Sequence, residues 1–275
     1  MHGRRSTTAA GYRWVRRMLI GGGILLLAYG FLAYVALPWA WTHYEHQRQL
    51  EGQPMLTRTK QGIPGGPLNV GLVGAREDVV RAMHDAGWHP ADPITLRSSL
   101  EIVDSVLLGR PYDDAPVSPL FYQDRQEDLA YERPVGSSAD QRHHVRFWKV
   151  LASGQEGRAV WLGSVTFDRG VGVSRYTGQV THHIGSDIDA ERDGLIDDLV
   201  RAGMVETRYQ VSGVGPTLNG HNGEGDRYYT DGEIWIAVLV AGGRKRVQPP
   251  AVLDSPPLIT AKNAAWNIVA GLVAN

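Results

Sequence analysis

Residues 143–150 read HHVRFWKV and residues 159–167 read AVWLGSVTF, and these two runs decide the fold class. The first alternates polar and apolar positions, the period of a strand with one buried face, and so puts Val145 and Phe147 together. The second is apolar and β-branched enough to be its partner. Gly154 and Gly157 between them predict a turn. Further strands are expected at residues 68–73, 179–184, 204–211 and 233–241, with Asp231-Gly232 turning the chain into the last. Helical spacing interrupts them. Val79, Val80, Met83 and Ala86 recur on one face before Gly87 as a cap. A second helix is expected at about 96–108, followed by a loop in which Pro111, Pro116 and Pro119 forbid regular structure. The strongest helix covers 188–202, started by Ser186 or Asp187 and stopped by Gly203, with Ile188, Leu195, Ile196, Leu199 and Val200 on one side. The pattern predicts an α+β domain over residues 68–245: one mixed, mostly antiparallel sheet with several helices, preceded by a single transmembrane helix.

Outside that domain, residues 18–37 contain no charged side chain and would form a helix about 30 Å long, the thickness of a bilayer core. Trp39 and Trp41 follow it, and Tyr12 and Trp14 precede it, at interfacial positions that aromatic rings favour. Arg4, Arg5, Arg13, Arg16 and Arg17 lie upstream in the basic segment 1–17 with no acid among them, whereas Arg48 is the one Lys or Arg between the helix and Thr57. This asymmetry predicts a bacterial inner-membrane anchor at 18–41, a cytoplasmic amino terminus and a periplasmic or otherwise extracytoplasmic main domain. A cleaved signal peptide would have a shorter apolar core and a small-x-small site. Gly21-Gly22-Gly23 is weak evidence for helix pairing. Residues 42–67, polar and then rich in Gly and Pro, read as a linker. Residues 246–275 read as a Pro-rich tail with a short apolar helix at about 264–273, too short to span a bilayer and expected to pack on the domain.

Bulk composition narrows the function. A formal net charge of −1 gives no pull toward nucleic acid, and 21% charged with 43% apolar residues is ordinary for a globular chain. There is no cysteine, which removes disulfides, thiolate catalysis and Cys-ligated zinc.

Several stretches are familiar. Pro116-Val117-Ser118-Pro119-Leu120-Phe121, residues 126–129, Arg142-His143-His144-Val145-Arg146-Phe147-Trp148 and Thr166-Phe167-Asp168 resemble the LssY C-terminal domain family. So do residues 178–184 (GQVTHHI), residues 187–192, and Asp226 through Thr230-Asp231-Gly232. The resemblance covers about residues 68–242, in the family's order. It implies an envelope setting, because such domains are often fused to membrane modules resembling DedA proteins or type-2 phosphatidic acid phosphatases. Those modules are missing here, and one anchor helix stands in their place. Lipid phosphatase motifs are absent from the sequence, so the resemblance supplies positions without roles.

Two histidine pairs, His143-His144 and His182-His183, are the candidate chemical centre. Neighbouring strand residues face opposite sides, so one imidazole of each pair can share a face. Asp168 ends a strand and would serve as base or ligand, and Arg146 and Arg142 would receive a phosphate or carboxylate, or else pair with Asp187 or Asp189. His144, His182, His183 and Asp187 are the candidate ligands of a divalent ion such as zinc, which would polarise a phosphoryl or carbonyl oxygen. The bland reading stands beside it. Paired strand histidines are often hydrogen-bonded structural residues, Asp187 suits a helix cap, and Asp189, Asp193 and Asp197 fall on one helix face as a solvated row. The spacing matches no HExxH pattern, GxSxG is absent, and the glycine loop 213–225 lacks a P-loop lysine. That loop offers Asn219, Asn222 and Asp226, with Asp231 just beyond, as a cradle for a ligand. The leading expectation is an envelope-associated binding or accessory protein that meets an envelope protein or lipid-linked ligand. The alternative is a metal-dependent hydrolase acting on a phosphate-bearing envelope molecule.

Overall fold

The computed structural model describes residues 7–36, 39, 45–91, 119–136, 141–173, 178, 180–213 and 217–273. The helix expected at 96–108 and the proline loop after it, up to residue 118, lie outside the described residues. The chain forms two compact units, Met1–Glu45 and His46–Asn275.

Among its described residues the first unit is helical. Helix α1 runs Thr7–Phe31 and continues as a π-helical segment, Leu32–Ala36. Within it Tyr12–Ala36 has a mean hydropathy of 2.0 and none of its apolar stretch is buried in protein. At 1.5 Å per residue its 25 residues reach about 37 Å, long and apolar enough to cross a membrane. Arg13, Arg16 and Arg17, expected ahead of the helix, form its early turns.

The second unit is built on a nine-stranded sheet. The two runs that open the sequence reading are β8, Arg142–Leu151, and β9, Val160–Val173, paired antiparallel from Arg142↔Asp168 inward. Strand β9 is longer than expected because it serves several partners. One edge takes β8. The other takes β3, Val70–Val73, at its start and β10, Val180–Ile184, at its end. Beyond β8 come β7, Leu129–Pro134, and β4, His89–Pro90. Beyond β3 come β14, Glu233–Leu239, β11, Val205–Ser212, and the short β15, Ala251–Val252. The β3–β14 and β11–β15 pairs are parallel and the others antiparallel, so the sheet is mixed and mostly antiparallel as expected.

Each face of the sheet has its own core. Helices α2, Arg76–Asp85, and α3, Ile188–Arg201, cover one face over Val70, Leu72, Val145, Phe147 and Val165. A four-stranded sheet lies on the other side: β1, Leu56–Thr59, β2, Pro64–Pro67, β5, Leu120–Tyr122, and β6, Arg125–Gln126. Leu50, Leu68 and Tyr122 there join Trp148, Leu162 and Ile236 in a second core. Residues 46–67 are therefore part of the domain where a linker was expected. Their polar and glycine-rich composition suits a two-stranded edge, and Gln47, Leu50 and Thr57 are buried within it. The glycine loop likewise contains a hairpin, β12, Thr217–His221, with β13, Arg227–Thr230. The carboxyl-terminal helix α4 runs Pro257–Val273, seven residues longer at its start than the expected 264–273.

Candidate functional site

Strand alternation sorts the histidines. Arg142, His144, Arg146 and Trp148 share one face of β8, and Trp148 lies in the second core, so this face looks away from the helices. His143 turns the other way. Its Nδ1 lies 2.5 Å from Glu191 Oε2 on α3, and its ring packs between Trp88 and Phe167. On β10, His183 Nδ1 meets Asp226 Oδ1 at 2.7 Å, while the other Asp226 oxygen accepts the Ile184 backbone N–H at 3.0 Å. The His183 ring lies over Gly172, where a Cβ would come within 2.2 Å of it. His144 and His182 remain. Strands β8 and β10 are not neighbours, yet His182 lies close enough across β9 to influence both His144 and Asp168 electrostatically.

Around His144 the sheet carries an unusual density of charge. Arg142 Nη1 donates to Glu132 Oε2 at 2.9 Å and its Nε approaches Asp168 Oδ2 at 3.4 Å. Arg146 pairs with Glu127 at 3.5 Å. Neither arginine pairs with Asp187 or Asp189 among the contacts described. The register explains this, since β7 and β9 flank β8 and place Glu132 opposite His144 and Asp168 opposite Arg142. All of Arg142, His144, Arg146 and Asp168 are buried. Burial holds the His144 imidazole well below its ordinary range, with Arg146, Arg142 and His182 pushing the same way. Burial raises the Asp168 carboxyl, against the pull of Arg142 and Arg146. His144 Nε2 has no hydrogen-bond partner among the described residues, although it is shut off from solvent.

The remaining candidates are engaged elsewhere. Asp187 caps α3, accepting the Ala190 N–H at 3.0 Å, which is the structural role weighed for it from sequence. Thus His144 and His182 approach one another, while His183 and Asp187 serve other contacts. No group of three or more His, Asp or Glu side chains poised for a metal occurs among the described residues. In the glycine loop, Asn222 Oδ1 accepts the Asp226 N–H at 2.8 Å and the Glu224 N–H at 3.0 Å, so the loop is braced by its own side chain. A Cβ at Gly223 would lie 2.4 Å from Pro64 O, so the loop also closes on β2. Asn219 lies on β12, and its side chain is outside what the structure describes.

Asp231 belongs to a second buried network. It takes Arg192 through both oxygens, at 2.8 and 3.1 Å. Asp189 accepts the Asp231 N–H at 2.6 Å and the Thr230 hydroxyl at 2.7 Å. Asp189 therefore departs from the solvated row expected for it, whereas Asp193 and Asp197 are exposed. Burial pushes its carboxyl up to about 6, opposed by Arg192 and reinforced by Asp231. Lys262 of α4 donates to Asp231 O at 2.6 Å and pairs with Glu233. The sequence carried a signal for Arg192 that went unused. It falls four after Ile188 and three before Leu195, inside the apolar stripe, where a charge needs a buried partner.

Strand order, helix placement and this polar face define a class: an α+β domain with a buried ionic cluster on the sheet face away from its helices, joined to a helix apolar enough to cross a membrane. The family model for the LssY C-terminus matches residues 50–234, and the chain belongs to that family. The match begins within the segment first expected to be a linker, in keeping with its folded state. No curated protein and no solved structure matches this chain.

Proposed function

We propose that the protein is a membrane-anchored, extracytoplasmic recognition domain of the cell envelope that binds a phosphate- or carboxylate-bearing envelope component at the His144 face of β8. The supporting observation is His144 itself: a buried imidazole with an unpartnered Nε2 at the centre of Arg142, Arg146, Asp168 and His182. Leaving such an atom unsatisfied costs roughly 1–3 kcal/mol, a cost that a ligand oxygen or hydroxyl removes. The neutral imidazole supplies a hydrogen bond without added charge, and Asp168, with its carboxyl raised, enters as a hydrogen-bond donor when protonated. The outward orientation is supported by the arginines at the amino-terminal end of the apolar helix.

A specific observation also favours turnover as a second reading. His144 and Asp168 lie on one sheet face of paired strands, two residues apart in register, and are driven away from their ordinary ranges in opposite directions, as the members of acid–base pairs are. One experiment separates the two. The full chain in lipid nanodiscs is titrated with inorganic phosphate, phosphatidic acid and short carboxylated glycans while thermal stability and product release are followed. Binding predicts a ligand-dependent rise in melting temperature that His144→Phe abolishes, with no product formed. Hydrolysis of a phosphoester, lost in Asp168→Asn, would replace the recognition reading with the hydrolase.

A further inference from the structure

Helix α4 is held along one side, most firmly at its start. Ile259 is fully buried, Lys262 reaches Asp231 and Glu233, and Asn263 Nδ2 donates to Gln210 Oε1 at 2.9 Å. Beyond Asn263 its other side is left open. Ile268 is 79% exposed and Leu272 78% exposed, and Ala264, Ala265 and Val269 are exposed with them. From Asn263 onward there is no charged side chain. The exposed apolar positions, Ala264, Ala265, Ile268, Val269 and Leu272, fall on one side of the helix, opposite the side on which Ile259, Asn263, Trp266 and Ala270 follow one another at helical spacing. A helix side this apolar suits the boundary of an apolar medium.

We infer that the distal part of α4 enters the outer part of the bilayer that holds α1, giving the domain a second, shallow membrane contact. Three observations agree. The span Tyr12–Ala36 is apolar enough to lie in a membrane, and the second unit begins at His46, so nine residues separate them. Nine residues reach at most about 30 Å, so the domain stays within a molecular diameter of lipid and tethering raises the effective concentration of that surface. The described helix covers 17 residues, about 25 Å, and one side of it is held by protein, so its open side dips into one leaflet without crossing the core. The half-buried Trp266 borders the open side of the helix, a position suited to an interface.

The absence of cysteine makes the test direct. Ile268→Cys, Leu272→Cys and Val247→Cys are made singly in the full chain, labelled with an environment-sensitive fluorophore and reconstituted into phosphatidylethanolamine–phosphatidylglycerol vesicles. Val247 is completely exposed on the domain and serves as the aqueous reference. The inference expects blue-shifted emission at 268 and 272, quenched about twofold or more by acyl-chain nitroxide lipids and protected from aqueous iodide, with the reverse at 247. Equal iodide quenching at all three positions, in protein that still sediments with the vesicles, overturns it. So does a blue shift that grows with protein density and ignores lipid nitroxide, because the helix would then be covered by a second copy. The result does not depend on ligand binding at His144, so the two proposals fail separately.

Discussion

At the scale of single residues, the buried His144 and the half-buried Asp189 impose opposite pH dependences. His144 stays neutral in the fold, whereas the unfolded chain takes up a proton below about pH 6.5. Its contribution to stability is therefore complete above that pH and is lost as pH falls, at about 1.4 kcal/mol per pH unit while the difference persists. Asp189 behaves in the reverse sense. Its folded value of about 6 lies above the ordinary 3.8, so the fold holds that proton more tightly than the unfolded chain does. Stability from Asp189 is highest below about pH 4 and falls, by roughly 3 kcal/mol at most, as pH rises to about 6. The two slopes partly cancel in the wild type, so the check is denaturant unfolding of single variants. His144→Gln is expected to remove the loss below pH 6.5, and Asp189→Asn to remove the loss between pH 4 and 6. Parallel profiles for wild type and variant would count against the corresponding assignment.

Among the elements, two side chains join pieces that the backbone leaves apart. Strands β3 and β10 share one edge of β9 with a gap between them. Asn69 fills it: its Oδ1 accepts the Val165 N–H at 2.9 Å, and its Nδ2 donates to Val165 O and Ile188 O at 3.1 and 3.0 Å. The amide continues the ladder and ties the start of α3 to the sheet. Asn69→Ala is expected to cost about 2–4 kcal/mol, because several buried backbone groups lose their partner together; chemical denaturation measures this. Arg192 is the second joint, linking α3 to the Asp231 turn beside the Lys262 contact of α4. Arg192→Met should destabilise by about 3–5 kcal/mol, since it leaves Asp231 and Asp189 buried without their cation. Adding Asp189→Asn to Arg192→Met is expected to recover part of that loss, and no recovery would mean that the network is not a coupled unit.

For the whole molecule, the testable quantity is orientation. Five arginines precede residue 18 and none of the next thirty residues is basic except Arg48. A reporter active only outside the cytoplasm, fused after Asn275, is expected to be active, and replacing Arg4, Arg5, Arg13, Arg16 and Arg17 with Gln to reduce that activity severalfold. A cytoplasmically active reporter in the unaltered chain would remove the envelope reading along with the ligand class proposed for the His144 face.

Local patterns carried the apolar helix, the paired strands around Gly154 and Gly157, the α3 cap at Asp187 and the family itself. Each depends on residues close in sequence: an uncharged run, alternation, a side chain accepting the N–H three residues on. They did not carry the partners of the histidines. Glu191 and Asp226 are 48 and 43 residues from the imidazoles they meet, and His182 reaches His144 only because β9 lies between their strands. The status of residues 46–67 had the same origin, since a polar glycine-rich stretch looks like a linker until a sheet face exists to bury it. The sequence by itself determined which faces exist and which segment is apolar enough for lipid. Which charges meet, which histidine is sealed without a partner and which side of α4 is left uncovered were decided by the tertiary packing, because pairing across a sheet and between elements depends on contacts that chain spacing does not encode.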